Sequence, residues 1–170
     1  GRDLKVYQIG NGPNVLIAVF ALHGFEDGWP QDGAELTFTA ESLANALIEK
    51  NTPALSDWTV YLFPCANPDG LNDGWSANGP GRCTTHILTE AGEVVYGNGK
   101  GIDLNRSFPR GFSVNNSNRN YTGSAPLSAT EAVALAHFVQ EAISPEGKNI
   151  LLDVHGWTQQ LVAKDPRGRL

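Results

Sequence analysis

Two kinds of apolar pattern alternate along the chain. Val15 to Ala21 is an unbroken, β-rich run, as expected of a strand covered on both faces, and Ile150-Leu151-Leu152-Asp153-Val154 is a second run of that sort. Between them Leu36, Ala40, Leu43 and Leu47 recur at spacings of four, three and four, which places one apolar stripe on a helix packed against the sheet. Leu4 to Ile9 predicts a first strand that turns at Gly10-Asn11-Gly12-Pro13 into the buried run, and Trp58 to Phe63 predicts another, stopped by Pro64. Asn67-Pro68-Asp69-Gly70 reads as a turn. From Leu71 to Gly101 periodicity is absent and glycine frequent, which predicts a long loop of a length usually tied to function. Ser128-x-x-Glu131 has the composition of a capping box, and Ala132, Leu135, Val139 and Ala142 follow on one helical face, with His137 off it. Strands interleaved with helices predict a single α/β unit without internal repeats.

Composition leaves that picture intact and narrows the partners. A chain of 170 residues, 41% hydrophobic and 18% charged, has ordinary globular usage and buries roughly two-thirds of its unfolded surface. No stretch approaches the 18 or so apolar residues of a membrane span, so a soluble protein without one is expected. A formal net charge of -6 argues against a nucleic-acid partner, whose phosphates need clustered Lys and Arg. Cys65 and Cys83 flank the Asn-Pro-Asp-Gly segment and fit either a disulfide, if the protein is exported, or two buried thiols.

The candidate chemistry sits where the two apolar runs end. His23-Gly24-Phe25-Glu26 follows the first and His155-Gly156 the second. Ligands of open α/β sheets gather beyond the carboxyl ends of the strands. Two imidazoles and a carboxylate supply three protein ligands for zinc and leave the fourth tetrahedral position to water. The plainer alternative is two strand-end histidines hydrogen-bonded to backbone.

The segment from Gly101 to Pro109 favours the first reading. It contains Asp103-x-Asn105-Arg106, and together with His23-x-x-Glu26, Asn67 to Gly70 and the distal His155, in that order, it makes the chain resemble the zinc metallocarboxypeptidases of the carboxypeptidase A/B type. Tyr121-x-Gly123 with Pro126, Ser128 and Glu131 is similar to the family's stretch before a surface helix, so the motifs span nearly the whole chain. The resemblance implies a three-layer α/β/α fold around a mixed, mostly parallel central sheet, with the zinc site at the carboxyl ends of the strands. Residues 1–170 are expected to form one metallocarboxypeptidase-like catalytic domain lacking its C-terminal part.

The resemblance also implies roles. One Zn2+ per chain would be held by His23, Glu26 and His155. Arg106, a permanently charged planar fork, and Asn105, a neutral donor beside it, would hold the free carboxylate of a peptide. Arg82 falls where the family places a second arginine and would polarise the scissile carbonyl and stabilise the oxyanion, the alternative being a solvated surface charge. Asp103 is similar to the carboxylate that orients a ligating histidine by accepting its other ring N–H, the alternative being a cap of a helix or turn. The family's glutamate base and mobile tyrosine lie well downstream of the distal histidine. Glu35, Glu131 and Asp165 are acids at hand, and no motif places any of them beside the metal.

The expected activity is zinc-dependent hydrolysis of the C-terminal peptide bond of a peptide by a metal-activated water. Three alternatives remain: a cell-wall peptidase cutting the γ-D-glutamyl-diaminopimelate bond of a stem peptide, a deacylase of N-acyl amino acids, and a zinc-containing module that binds C-terminal carboxylates without turnover. The partner would be a peptide or muropeptide with a free carboxylate, and the setting secreted or in the cell envelope.

Overall fold

The structure is a computed structural model that describes residues 2–50, 53–73, 81–84, 86–88, 94–96 and 101–156. Four strands form the main sheet: β1 (Tyr7–Ile9), β2 (Asn14–Phe20), β3 (Trp58–Phe63) and, last in the chain, β6 (Asn149–Val154). Their order is β1-β3-β2-β6; β1 runs antiparallel to β3, while β2 is parallel to both β3 and β6. The predicted mixed sheet is therefore present, with β2 at its centre.

Alternation along β2 divides the core in two. Val15, Ile17 and Val19 face one side, where they pack with Phe63, Ile102, Leu104 and the α3 residues Ala132 and Leu135. Helix α3 spans Thr130–Ala142. Ala18 and Phe20 face the other side with Val60, Leu62 and residues Leu36, Ala40 and Ala44 of α1 (Asp32–Lys50). Successive side chains of a strand point to opposite faces, so a run apolar at every position demands a cover on each. Two helices supply it, giving an α/β/α sandwich.

Several local expectations change in the structure. The α1 stripe runs through Ala44, leaving Leu43 41% exposed; spacing of four from Leu36 through Ala40 to Ala44 keeps one line along the helix. The first strand is confined to Tyr7–Ile9. The Asn67 to Gly70 turn opens a short helix, α2 (Pro68–Asp73), with the Asn67 side chain accepting from the Gly70 N–H at 2.9 Å. Within the predicted long loop, β4 (His86–Leu88) and β5 (Val94–Tyr96) pair antiparallel. The capping box does not form: Ala129 caps α3 without a side-chain bond, and the Ser128 hydroxyl donates to Ala125 O instead. His137 is exposed as expected and lies 3.5 Å from Glu141 one turn on.

The largest departure is β6. It is a strand, as read, but it is not buried: Ile150, Leu151 and Leu152 are 47%, 62% and 39% exposed. Among the described residues β2 is its sole strand neighbour, so the run that resembles β2 in sequence lies open at the sheet's edge. Cys65 and Cys83 are free thiols, both buried. No described helix is long and apolar enough to cross a membrane.

Candidate metal centre

The parallel pairing of β2 with β6 puts Phe20 opposite Val154, so the chain leaves both strands at the same level. His155 is the next residue after β6. His23 follows β2 through Ala21, whose φ of 47° turns the chain out of the strand direction. The two imidazoles meet edge to face with centroids 5.2 Å apart. Gly24 lies between His23 and Glu26, where a Cβ would stand 2.2 Å from Leu71 N; only glycine lets the loop sit this close to α2.

His23, Glu26 and His155 each present a ligand atom within 4.8 Å of those of the other two. His23 Nδ1, Glu26 Oε2 and His155 Nε2 are buried and lack hydrogen-bond partners. His23 Nδ1 does lie 2.8 Å from Glu26 Oε1, close enough for an ion pair but not aligned as a hydrogen bond. Buried polar atoms are almost always paired, so three orphans on three convergent side chains fit a shared ligand such as a metal ion. Their chemistry, two imidazole nitrogens and a carboxylate oxygen, suits zinc.

The other atoms of these side chains are held firmly. His23 Nε2 lies 2.8 Å from Asp103 Oδ1. An ionised carboxylate only accepts, so in the neutral ring the hydrogen sits on Nε2 and the Nδ1 lone pair faces the site. Asp103 also caps the short 3-10 turn Leu104–Arg106 through the Asn105 N–H, so one carboxylate makes both a cap bond and a contact with His23. Arg82, expected at the site or on the surface, is buried: it donates to Glu26 Oε1 at 2.8 Å, Asp103 Oδ2 at 3.2 Å and Arg119 O at 3.0 Å. The Asn67 side chain in turn donates to Arg82 O at 3.2 Å, which is the work of the Asn-Pro-Asp-Gly segment here. His155 is looser, its side chain a quarter exposed and its Nδ1 2.8 Å from the half-exposed Asp153.

This network sets the protonation states. Burial disfavours the Glu26 carboxylate, but His23, Arg82 and the charge of His155 outweigh it and hold the pKa down at about 2. Burial likewise works against Asp103, and His23, Arg82 and Arg106 keep its pKa below the ordinary value. Burial also opposes the His23 imidazolium, yet Asp103 and Glu26 prevail and raise its pKa above 6.5.

A cavity of about 230 Å³ opens beside these residues, lined by Glu26, Arg82, Asn105, Arg106, Arg119, Asn120 and His155. Asn105 and Arg106 stand exposed at it, as a carboxylate grip requires. Arg119 and Asn120 were not among the candidate site residues. A larger cavity of about 610 Å³, between the N-terminal segment and α1, holds no such convergent donor set. Of the three acids considered for a proton shuttle, Glu35 accepts from Trp29 Nε1 at 2.6 Å, Glu131 lies on α3, and Asp165 is outside the described residues; neither described one lines the cavity.

An α/β/α sandwich carries a His, Glu, His cluster beyond the ends of adjacent parallel strands, and the chain belongs to the zinc carboxypeptidase family, whose model matches residues 1–164. It is 42% identical over 159 residues to bacteriocin BCN5 of Clostridium perfringens, covering 92% of this chain and 16% of that protein. It is 30% identical over 148 residues to γ-D-glutamyl-L-diamino acid endopeptidase 1 of Lysinibacillus sphaericus, covering 75% of this chain and 37% of that one. Carboxypeptidase A from Helicoverpa armigera shares the fold, with a TM-score of 0.62 at 21% identity over 91% of this chain and 38% of that structure. The chain therefore spans well under half the length of each.

Proposed function

We propose that this protein is a zinc-dependent peptidase acting on a peptide bond next to a free carboxylate, with zinc held by His23 Nδ1, Glu26 and His155. The observation that carries the reading is the convergence of three orphaned ligand atoms beside a cavity rimmed by Asn105 and Arg106. Zinc there would supply Lewis acidity and lower the pKa of a water from about 15.7 to about 7. The chain's own residues do the rest of the positioning. Arg106 takes the terminal carboxylate as a fork and Asn105 adds a neutral donor. Arg82 spends three of its five donors on Glu26, Asp103 and Arg119, which fixes its plane and leaves two hydrogens for a carbonyl oxygen in the cavity. Asp103 keeps His23 in the ligating tautomer.

Two substrates fit this chemistry. Removal of a C-terminal residue is supported by the family's description. A cell-wall stem peptide is favoured by the relative named for cutting at γ-D-glutamyl-L-diamino acid, and that reading places the protein outside the cytoplasm, in the cell envelope or secreted. Incubating the full chain and zinc with unmodified peptides, purified muropeptides and N-acyl amino acids separates the possibilities by product. Release that stops with a chelator and with Glu26→Ala supports the peptidase. Zinc and peptide binding with no product from any substrate would replace it with a carboxylate-binding module.

A further inference from the structure

We infer that Asp32, which no motif marks, is a positioning residue for the metal centre: its buried carboxylate fixes the backbone of the Glu26 loop and seats the strand end carrying His155 against it. This rests on the metal-centre reading above.

Asp32 is 1% exposed and opens α1, six residues after Glu26. An acid at this point ordinarily serves its own helix, and Asp32 Oδ1 does accept from Gly33 N at 2.7 Å. The remaining bonds run backwards into the ligand loop. Glu26 N donates to both carboxylate oxygens at 3.1 Å, and Gly28 N donates to Oδ2 at 2.9 Å. Three backbone N–H groups from two segments therefore converge on one carboxylate.

The loop needs such a hold. Asp27 and Gln31 both have positive φ, 63° and 60°, in a region that side-chain-bearing residues rarely adopt. Two left-handed residues within six positions make a path that local preference does not choose, and the surroundings must over-determine it. Asp32 sits where the path ends and grips where it begins. On its other side it meets Gly156: a Cβ there would stand 3.2 Å from Asp32 Cβ and Cγ and 3.3 Å from Oδ2. His155 is the adjacent residue, so one side chain bonds to the backbone of the Glu26 loop and leaves at Gly156 no more room than a glycine needs. Asp32 is placed by these contacts to act through Glu26 and not on the reacting atoms.

The test compares the full wild-type chain with Asp32→Asn, Asp32→Ala and Gly156→Ala. Zinc affinity is read by competition with a chromophoric chelator, coordination by the visible spectrum of the cobalt-substituted protein, and loop order by amide exchange of the chelated protein. Asn keeps the size of Asp but turns an NH2 group towards a backbone N–H. Asp32→Asn is expected to weaken zinc binding by about 10 to 100-fold, the usual range for loss of a supporting contact behind a ligand. It should alter the cobalt spectrum and speed exchange at Glu26 and Gly28 while β2 and β3 keep their protection. Gly156→Ala should shift affinity in the same direction by less. Should Asp32→Ala fail to fold, Asp32→Asn carries the comparison. Wild-type affinity and spectrum in Asp32→Asn, with zinc bound by the wild type, overturn the inference and leave the metal centre standing. A wild type that takes up no zinc overturns the metal centre, and exchange at Glu26 and Gly28 then decides by itself whether Asp32 holds the loop.

Discussion

The two strand ends that bring the candidate ligands together are built on opposite principles. At the end of β2, His23 and Glu26 are 3% and 5% exposed and locked by Asp103, Arg82 and Asp32. At the end of β6, His155 follows a strand whose Ile150, Leu151 and Leu152 are exposed, with Asp153 as its partner. One half of the site is organised before any metal arrives, by a buried cluster of two carboxylates, an imidazole and a guanidinium. Among the described residues the other half is tied in by the β2 ladder and lies beside Asp32.

The sharpest way to break this contrast is to remove a cation from the buried half. Arg82→Met leaves Glu26 and Asp103 short of a partner in the interior and should cost about 3–5 kcal/mol in urea unfolding of the metal-free protein. His155→Ala, on the open half, should stay within about 0.5 kcal/mol. Equal losses would erase the distinction. The core version of the experiment is next in size: Ile17→Ala on β2 should cost about 2–5 kcal/mol, whereas Leu151→Ala, its register partner on β6, should change little.

Acidity probes the same cluster more gently. The lowered pKa of Glu26 stabilises the fold fully above its ordinary value of 4.5, and that contribution is lost as pH falls towards about 2. The raised pKa of His23 has the opposite sign: its contribution is complete below 6.5 and is lost as pH rises through the folded-state value. The cluster's contribution to the chelated protein is therefore greatest between pH 4.5 and 6.5, and it should fade on both sides in a series of urea midpoints. In His23→Gln the fading on the alkaline side should vanish. The smallest effect concerns Cys65, just beyond β3. Burial pushes its pKa up to about 11, so at pH 8 only about one thiol in a thousand is ionised, and iodoacetamide should label it far more slowly in the native than in the unfolded protein.

Much of this arrangement was legible in the residues. β2 and β3 were readable because a strand covered on both faces must be apolar at every position, and the HxxE and Asp-x-Asn-Arg spacings carried the site. What escaped has physical causes. Hydrophobicity records what a segment is able to bury, not what covers it, so β6 looked like β2. Leu43 and Ala44 are both apolar, and only the direction of the helix face separates them. Ser128 and Glu131 had the right spacing for a capping box, but the hydroxyl found a nearer acceptor in Ala125 O. Asp32 was silent because its partners are backbone N–H groups, which every sequence offers at nearly every position. Its one available signal was an acid at a helix start soon after a candidate ligand.

If His23, Glu26 and His155 form one metal centre, equilibrium dialysis of the full chain against buffered zinc will find one zinc per chain, removed by a chelator and lost in Glu26→Ala and in His155→Ala alike. No zinc in the wild type, or undiminished uptake by both variants, would contradict it.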